Sequence, residues 1–262
     1  MASNSSKKDC KFFFEDLMQQ STFSSDTVYK KQKKKLHAFG RTFFSIAETK
    51  DGILYEWLQM RESSVGEAHN FMFCLEYQGF QSTHVFFGKV SSVNETQESI
   101  ISSGKCSSIG FETFKNQFVN MKRNGKYPYR ITIKKEPFPP PPRNRNFQAI
   151  IPNVCQILRP PKNHNAFGKM FLSSTKIKDG ILYERVQLLG SRQEAENFIY
   201  CLEYQGTGST HAFFGKVSSL THLLEQSILE GKCSSIGFQT FMTQYKENDC
   251  KYSYDITIKK IE

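Results

Sequence analysis

The feature that most constrains this chain is an internal duplication, because the fold has to accommodate the same unit twice. The recurring unit spans about a hundred residues, which is too long a period for a solenoid repeat. We therefore predict two domains of related structure. The matching stretches are Asp51–Glu56 with Asp179–Glu184, Glu67–Gly79 with Glu194–Gly206, Ser82–Ser92 with Ser209–Ser219, Gly104–Phe111 with Gly231–Phe238, and Tyr129–Lys135 with Tyr254–Lys260.

Each copy consists mainly of short segments with the two-residue hydrophobic period that is typical of β-strands. Asp51-Gly52 predicts a hairpin turn, because glycine accepts positive φ. Ser92–Ser103 has helix-compatible spacing, and Gly104 predicts its C-terminal end. Several short strands with one helix predict an all-β protein with short helices, built as two tandem antiparallel β-sandwich units. The predicted strands of the first copy are Thr42–Ala47, Ile53–Met60, Phe71–Tyr77, His84–Val90, Cys106–Phe111 and Tyr129–Lys134.

The prolines indicate where one copy ends and the next begins. Eight of the nine lie between Pro137 and Pro161. The run Phe138-Pro139-Pro140-Pro141-Pro142 favours polyproline II and matches the proline-rich ligands of EVH1-type domains, but a rigid spacer needs nothing more than proline. We predict a basic disordered tail over residues 1–38, a first repeat over 39–136, a proline-rich linker over 137–166 that could include the first strand of the next repeat, and a second repeat over 167–262.

The net charge of +10 is concentrated in two segments. Residues 1–35 carry 8 lysines against 4 acidic residues, and residues 134–162 carry 6 basic residues against 1 acidic residue. A nucleic-acid-binding fold carries its excess charge on a folded face instead. The basic run Lys30–Lys35 is compatible with a nuclear-import signal or a phosphate-binding arm, but we interpret it as a solvated tail. We do not expect a nucleic-acid partner.

The cysteine spacing and the absence of long apolar runs indicate in which cellular compartment the protein is expected. The chain has seven cysteines without a C-x-x-C pair, which argues against a disulfide framework or a zinc cluster. No apolar run is long enough to cross a bilayer, and the polar start Met1–Cys10 lacks the hydrophobic stretch of a signal peptide. We expect a protein of the cytoplasm or nucleus with no membrane partner.

Recurring polar residues could suggest catalysis, and each has a structural interpretation. The pairs Cys74/Cys201, Cys106/Cys233 and His84/His211 lie in predicted strands among aromatic residues, where a buried cysteine behaves as a small hydrophobe. We interpret them as core residues whose recurrence follows from the duplication. The pairs Glu56/Glu184 and Glu76/Glu203 are predicted to face solvent. We expect no catalytic residues, no metal and no cofactor.

One segment of the second copy resembles a known family. Val186–Glu203, with the sequence Val-Gln-Leu-Leu-Gly-Ser-Arg-Gln-Glu-Ala-Glu-Asn-Phe-Ile-Tyr-Cys-Leu-Glu, is similar to the TRAF-like substrate-binding domain of the seven-in-absentia (Sina/Siah) family. Cys233 and Phe238, and the closing Ile256-Thr257-Ile258, also resemble family positions. The resemblance implies two tandem TRAF-like sandwiches, each of which binds extended peptides. It also implies that domains of this kind form dimers.

The chain also departs from that family's pattern. Sina-type ubiquitin ligases carry a RING and zinc fingers before this domain, whereas only Cys10 and His37 precede the first copy here. We therefore predict a non-enzymatic binding module, an adaptor or regulator in ubiquitin-dependent proteasomal degradation, with degron peptides and a Sina-type RING ligase as partners. The alternative is a component of an E3 ubiquitin ligase whose activity comes from a partner or a longer gene product.

The last strand of each copy is the predicted peptide-binding rim, because the edge of a TRAF-like sheet can pair with an added strand. Tyr129 and Arg130 form one rim, and Tyr254 and Asp255 form the other with opposite charge. The linker is long enough for the copies to face one another, so we also predict that they pair in cis as a pseudo-dimer.

Overall fold

Strands and short helices follow one another in the same order in both repeats. The computed structural model describes residues 10–17, 32–62, 64–79, 81–119, 126–135, 146–150, 162–206, 208–245 and 251–261, and every statement below concerns these residues. The first repeat contains β1 (Cys10–Leu17), β2 (Gln32–Ala38), β3 (Arg41–Lys50), β4 (Ile53–Met60), α1 (Val65–Ala68), β5 (Met72–Gln78), β6 (Ser82–Lys89), β7 (Ser91–Ser92), α2 (Gln97–Ser102), β8 (Cys106–Gly110), α3 (Phe111–Phe114), a π-helical turn (Lys115–Val119) and β9 (Lys126–Lys134). The second contains β10 (Asn146–Ile150), β11 (Lys162–Ala166), β12 (Lys169–Lys178), β13 (Ile181–Leu188), α4 (Arg192–Ala195), β14 (Phe198–Gln205), β15 (Thr210–Lys216), β16 (Ser218–Ser219), α5 (Leu224–Leu229), β17 (Ser234–Gly237), α6 (Phe238–Gln244) and β18 (Lys251–Lys260).

The Asp-Gly hairpin predicted from the sequence is present in both repeats. Asp51 and Gly52 have φ of 52° and 72°, and the equivalent pair in the second repeat has φ of 51° and 73°. A two-residue type I′ loop needs positive φ at both positions, which aspartate tolerates and glycine accepts freely. The turn joins β3 to β4, and its equivalent joins β12 to β13.

A single long sheet runs through both repeats. Its strand order is β1-β9-β5-β6-β15-β14-β18-β10, which reads the same from either end when equivalent strands are matched. Each repeat adds a smaller sheet, β2-β3-β4-β7 with β8 in the first and β11-β12-β13-β16 with β17 in the second. Pairing is antiparallel except for the two-residue parallel contacts of β4 with β7 and of β13 with β16.

Each repeat is a β-sandwich with its own hydrophobic core. In the first repeat, Phe43 and Leu58 of the smaller sheet pack against Phe73 and Ile131 of the long sheet, and all four are fully buried. The second repeat has the equivalent core. The predicted all-β architecture of two sandwich units is therefore confirmed.

The predicted helix is present but shorter than expected. Thr96 ends the preceding loop, and its side chain accepts a hydrogen bond from the backbone N–H of Ser99, so α2 starts at Gln97. Gly104 has φ of 72°, as predicted for a helix-ending glycine. Ile100 is buried and anchors the helix.

The expected disordered tail over residues 1–38 is wrong for two segments. Cys10–Leu17 pairs with β9, and Gln32–Ala38 pairs with β3. Leu36 and Ala38 are buried while Lys33 and Lys35 are exposed, so the basic run continues into a strand with an apolar inner face. The first repeat therefore begins before residue 39. The linker expected over 137–166 contains β10, the first strand of the second repeat for which the prediction allowed, and a further strand, β11.

Candidate functional site

The two repeats join through the central strands of the long sheet, so these strands are not open to a further strand. Ser82–Lys89 (β6) and Thr210–Lys216 (β15) pair antiparallel, with His84 opposite Phe213 and Phe86 opposite His211. These strands are equivalent in sequence, so the two repeats meet through the same element. A surface used twice in this way is the geometry of a two-fold interface.

Two glutamines exchange equivalent hydrogen bonds across the junction. Gln117 of the first repeat donates its Nε2–H to the carbonyl oxygen of Cys233, at 3.1 Å. Gln244 of the second repeat donates to the carbonyl oxygen of Cys106, at 3.2 Å, and to that of Ile101, at 3.3 Å. Both glutamines are buried. The exchange satisfies polar groups that burial would otherwise leave without partners.

A third hydrophobic cluster lies between the repeats. It combines Trp57 and Cys106 of the first repeat with Ile181 and Cys233 of the second, and Trp57 is 1% exposed. Close approach depends on Gly110, where an added Cβ would lie 2.8 Å from Cδ1 of Ile181. Since one face of β4 packs in the first sandwich and the other in this cluster, all eight residues of β4 are buried.

Two histidines face each other inside this junction. The ring centroids of His84 and His211 lie 5.4 Å apart. The centroid of the His84 ring also lies 4.8 Å from that of Phe213 and 5.3 Å from that of Phe118. Burial lowers the pKa of His211 to about 3, and burial together with His211 lowers the pKa of His84 well below its usual value. Both rings are therefore neutral at physiological pH, and the prediction that they are core residues is confirmed.

Glu56 and Glu184 are buried, which corrects the prediction that they face solvent. Their exposed fractions are 1% and 0%. Tyr77 donates its hydroxyl to Oε2 of Glu56, and Tyr204 donates to Oε2 of Glu184 at 2.6 Å. Alternation along the strand suggested a solvent-facing side, but the second layer of each sandwich covers it. Glu203 is likewise buried, whereas Glu76 is partly exposed.

The tyrosine–glutamate bond predicts a measurable effect on stability. Replacing Tyr204 by phenylalanine should lower the free energy of unfolding by about 1–3 kcal/mol, because a buried carboxylate loses a hydrogen-bond donor. Urea unfolding monitored by fluorescence measures this. Tyr77→Phe is the matched variant in the first repeat and should behave alike, and an unchanged unfolding midpoint in both variants would contradict the assignment.

Each repeat also buries a lysine with a carboxylate and a histidine. In the first repeat, Nζ of Lys105 bonds to Glu95 and lies 2.6 Å from Nε2 of His69. In the second repeat, Nζ of Lys232 lies 2.7 Å from Oε2 of Glu230, and Nε2 of His222 lies 3.2 Å from the same carboxylate. The lysines are equivalent, but their carboxylates come from different positions in the two repeats. Each lysine forms an ion pair with a carboxylate, which compensates its buried charge. We therefore assign these lysines a structural role and not the role of a nucleophile.

The cysteines behave as core or partly buried residues. Burial raises the pKa of Cys74, Cys106, Cys201 and Cys233 to about 12, so their thiols are protonated. In the part of the chain that is described, no three His, Cys, Asp or Glu side chains are grouped to hold a metal ion. The helices described here are all too short or too polar to cross a membrane.

The predicted rim residues lie on strands that are paired on both sides. β9 lies between β1 and β5, and β18 lies between β10 and β14. Tyr129, Tyr254 and Asp255 are buried, and Arg130 Nη1 lies 3.4 Å from Oε2 of Glu76. These two strands are not open edges, so the prediction that a peptide pairs directly with them is wrong. The proline motif Phe138–Pro142 lies outside the described residues.

The open edges of the sheets belong to other strands. Among the described residues, β1 and β10 end the long sheet, and β2 and β11 each pair with a single neighbour in the smaller sheets. An edge strand presents unpaired backbone N–H and C=O groups that can accept a further strand. The candidate peptide sites are therefore these edges, in two equivalent sets.

The second repeat has a recognisable family likeness. Residues 164–258 match the family model for the Sina, TRAF-like domain. The matched range begins in β11, ends in β18 and covers just over a third of the chain. A search of curated proteins found no match. The resemblance found in the sequence is thus confirmed for the second repeat, as a TRAF-like domain similar to those of the Sina family.

Proposed function

We propose that this protein is a non-catalytic module that binds extended peptides of other proteins, and that it acts as an adaptor or regulator in ubiquitin-dependent degradation. The observation that carries the proposal is the match of residues 164–258 to the Sina TRAF-like domain. Partners of this kind are degron-bearing substrates and a Sina-type RING ligase. We place its action in the cytoplasm or nucleus.

The open edges support peptide capture by strand addition. A peptide that pairs with an edge gains backbone hydrogen bonds along its length, while alternate side chains determine specificity. We propose one such site in each repeat, along β2 and β11, since these edges are equivalent and flank the sandwich cores. This replaces the rim at Tyr129, Arg130, Tyr254 and Asp255, whose strands are already paired on both sides.

A peptide library displayed on phage tests the proposal. We expect enrichment of extended sequences by the full chain, and loss of binding when a selected peptide is methylated on alternate backbone nitrogens. A scrambled peptide of the same composition is the control. Failure to enrich any sequence over several rounds would contradict the proposed function.

We further propose that the first repeat is a second TRAF-like domain and that the two repeats form a pseudo-dimer within one chain. Support comes from the shared strand order, the pairing of β6 with β15 and the reciprocal bonds of Gln117 and Gln244. Because the central edges are consumed internally, we expect the 30.2-kDa chain to be a monomer. Light scattering at micromolar concentration measures this, and a doubled mass would contradict it.

Ubiquitination with purified components separates the adaptor from a ligase. We expect no ubiquitin chains when the protein is incubated with E1, E2 and ubiquitin alone. Addition of a Sina-type RING ligase is the positive control. Chain formation without an added ligase would instead support the alternative, a ligase whose activity resides in this chain.

A further inference from the structure

The basic run of the sequence lies on an open sheet edge. Lys33, Lys34 and Lys35 belong to β2, which pairs with β3 alone among the described residues. Lys33 and Lys35 are exposed and lie on the same side of the strand, two residues apart. Nζ of Lys33 lies 3.7 Å from the centroid of the Phe44 ring, which holds one ammonium beside the edge.

The equivalent edge of the second repeat lacks this feature. Asn163 and Asn165 of β11 occupy the positions of Lys35 and His37, and Pro161 occupies that of Lys33. Within the described residues, β11 has 5 residues and β2 has 7. β11 keeps one lysine, Lys162, at the position of Lys34. On the neighbouring β12, Lys169 and Lys178 form ion pairs with Glu194 and Glu225.

Lysine on an edge strand also discourages aggregation, and this explanation has to be weighed. The second repeat has Pro161 and Asn163 at the positions of Lys33 and Lys35, so edge protection does not require lysine at these two positions. On the neighbouring β3, Arg41 forms an ion pair with Glu67, and Lys50 and Glu48 carry opposite charges, so β3 adds little positive charge to the edge. A nucleic-acid surface would need a wider basic face, whereas the charge lies along one strand.

We propose that the edge of β2 selects acidic extended peptides. A peptide added to this edge would place alternate side chains beside Lys33 and Lys35, because both strands repeat every two residues. Carboxylates at alternate peptide positions would then complement the two ammonium groups, while the backbone pairing supplies most of the affinity. The proposal rests on the proposed function and assigns a ligand class to one of its two sites.

The test is fluorescence anisotropy of the full chain with a labelled six-residue peptide of alternating glutamate and valine. We expect this peptide to bind more tightly than a control peptide in which glutamine replaces each glutamate. The double variant Lys33→Gln/Lys35→Gln should weaken its binding about fivefold to tenfold, as for two exposed ion pairs. The matched control Lys89→Gln/Lys259→Gln removes the same charge at exposed positions elsewhere and should change binding less than about twofold.

Three outcomes would overturn the proposal. If the two double variants weakened peptide binding equally, the peptide would be attracted by the net charge of the protein and not by Lys33 and Lys35 in particular. Undiminished binding of the glutamate peptide after methylation of alternate backbone nitrogens would exclude strand addition. Tighter, K33Q/K35Q-sensitive binding of a duplex DNA would assign the edge to nucleic acid.

The outcomes also distinguish this proposal from the proposed function. If library peptides bind by strand addition and their affinity is the same for the parent chain and the K33Q/K35Q variant, the acidic preference is contradicted. The proposed peptide-binding function is then unaffected. If no peptide binds at all, both fail. Thermal unfolding of each variant should match the parent chain, because the replaced side chains are exposed.

Discussion

Lowering the pH from about 6.5 to 4.5 should destabilise the protein by about 1.4 kcal/mol per pH unit for each of His84 and His211. Burial lowers the pKa of both rings, to about 3 for His211, so the folded protein holds them neutral. The unfolded chain takes up protons as soon as the pH falls below the ordinary histidine pKa. Stability is therefore complete above about pH 6.5 and is lost as the pH falls toward the folded-state pKa.

Urea unfolding at a series of pH values measures this dependence. The double variant His84→Gln/His211→Gln should show a much smaller slope between pH 6.5 and 4.5, whatever its stability at pH 7. His37→Gln is the matched control, because His37 is exposed. An equal slope in the parent chain and the double variant would assign the acid sensitivity to other groups.

Replacing Trp57 by alanine should lower the free energy of unfolding by about 3–5 kcal/mol, the usual cost of removing a large buried aromatic side chain. Trp57 is 1% exposed and lies in the cluster between the repeats. Because that cluster belongs to both repeats, we expect the loss to appear as an earlier single transition of the whole chain.

Calorimetry combined with urea unfolding checks this expectation. Leu229→Ala is the control, since Leu229 is 63% exposed, and it should change stability by less than about 0.5 kcal/mol. Two separated transitions in Trp57→Ala, with the second repeat unaffected, would show that the repeats unfold independently. In that case the cluster would contribute little coupling between them.

Much of the fold could be predicted because the signals are local. The Asp-Gly hairpin, the alternating strands and the glycine-ended helix depend on backbone preferences within a few residues. The duplication doubled each signal and so strengthened it. The likeness to the Sina TRAF-like domain could also be read from Val186–Glu203, and it holds for residues 164–258.

The strand β2 was missed for a physical reason. Its hairpin to β3 turns at Phe39-Gly40, with φ of 53° and 69°, and phenylalanine is an uncommon residue at positive φ. The lysines before the turn are typical of a solvated tail, and only Leu36 and Ala38 face the core. Pairing with β3 determines the conformation of this segment more strongly than its own composition does.

The duplication, the sandwich class and the family likeness of the second repeat can be read from the chain's residues, since they depend on local patterns and on matching positions. The pairing of β6 with β15, the burial of Glu56 and Glu184 and the identity of the open edges depend on how the strands pack together. A two-residue period shows that a strand has two faces, but not whether a second layer covers the polar one. Coverage depends on contacts between residues distant in the chain, such as the bond of Tyr77 to Glu56, and those contacts form only when the two sheets of a sandwich pack together.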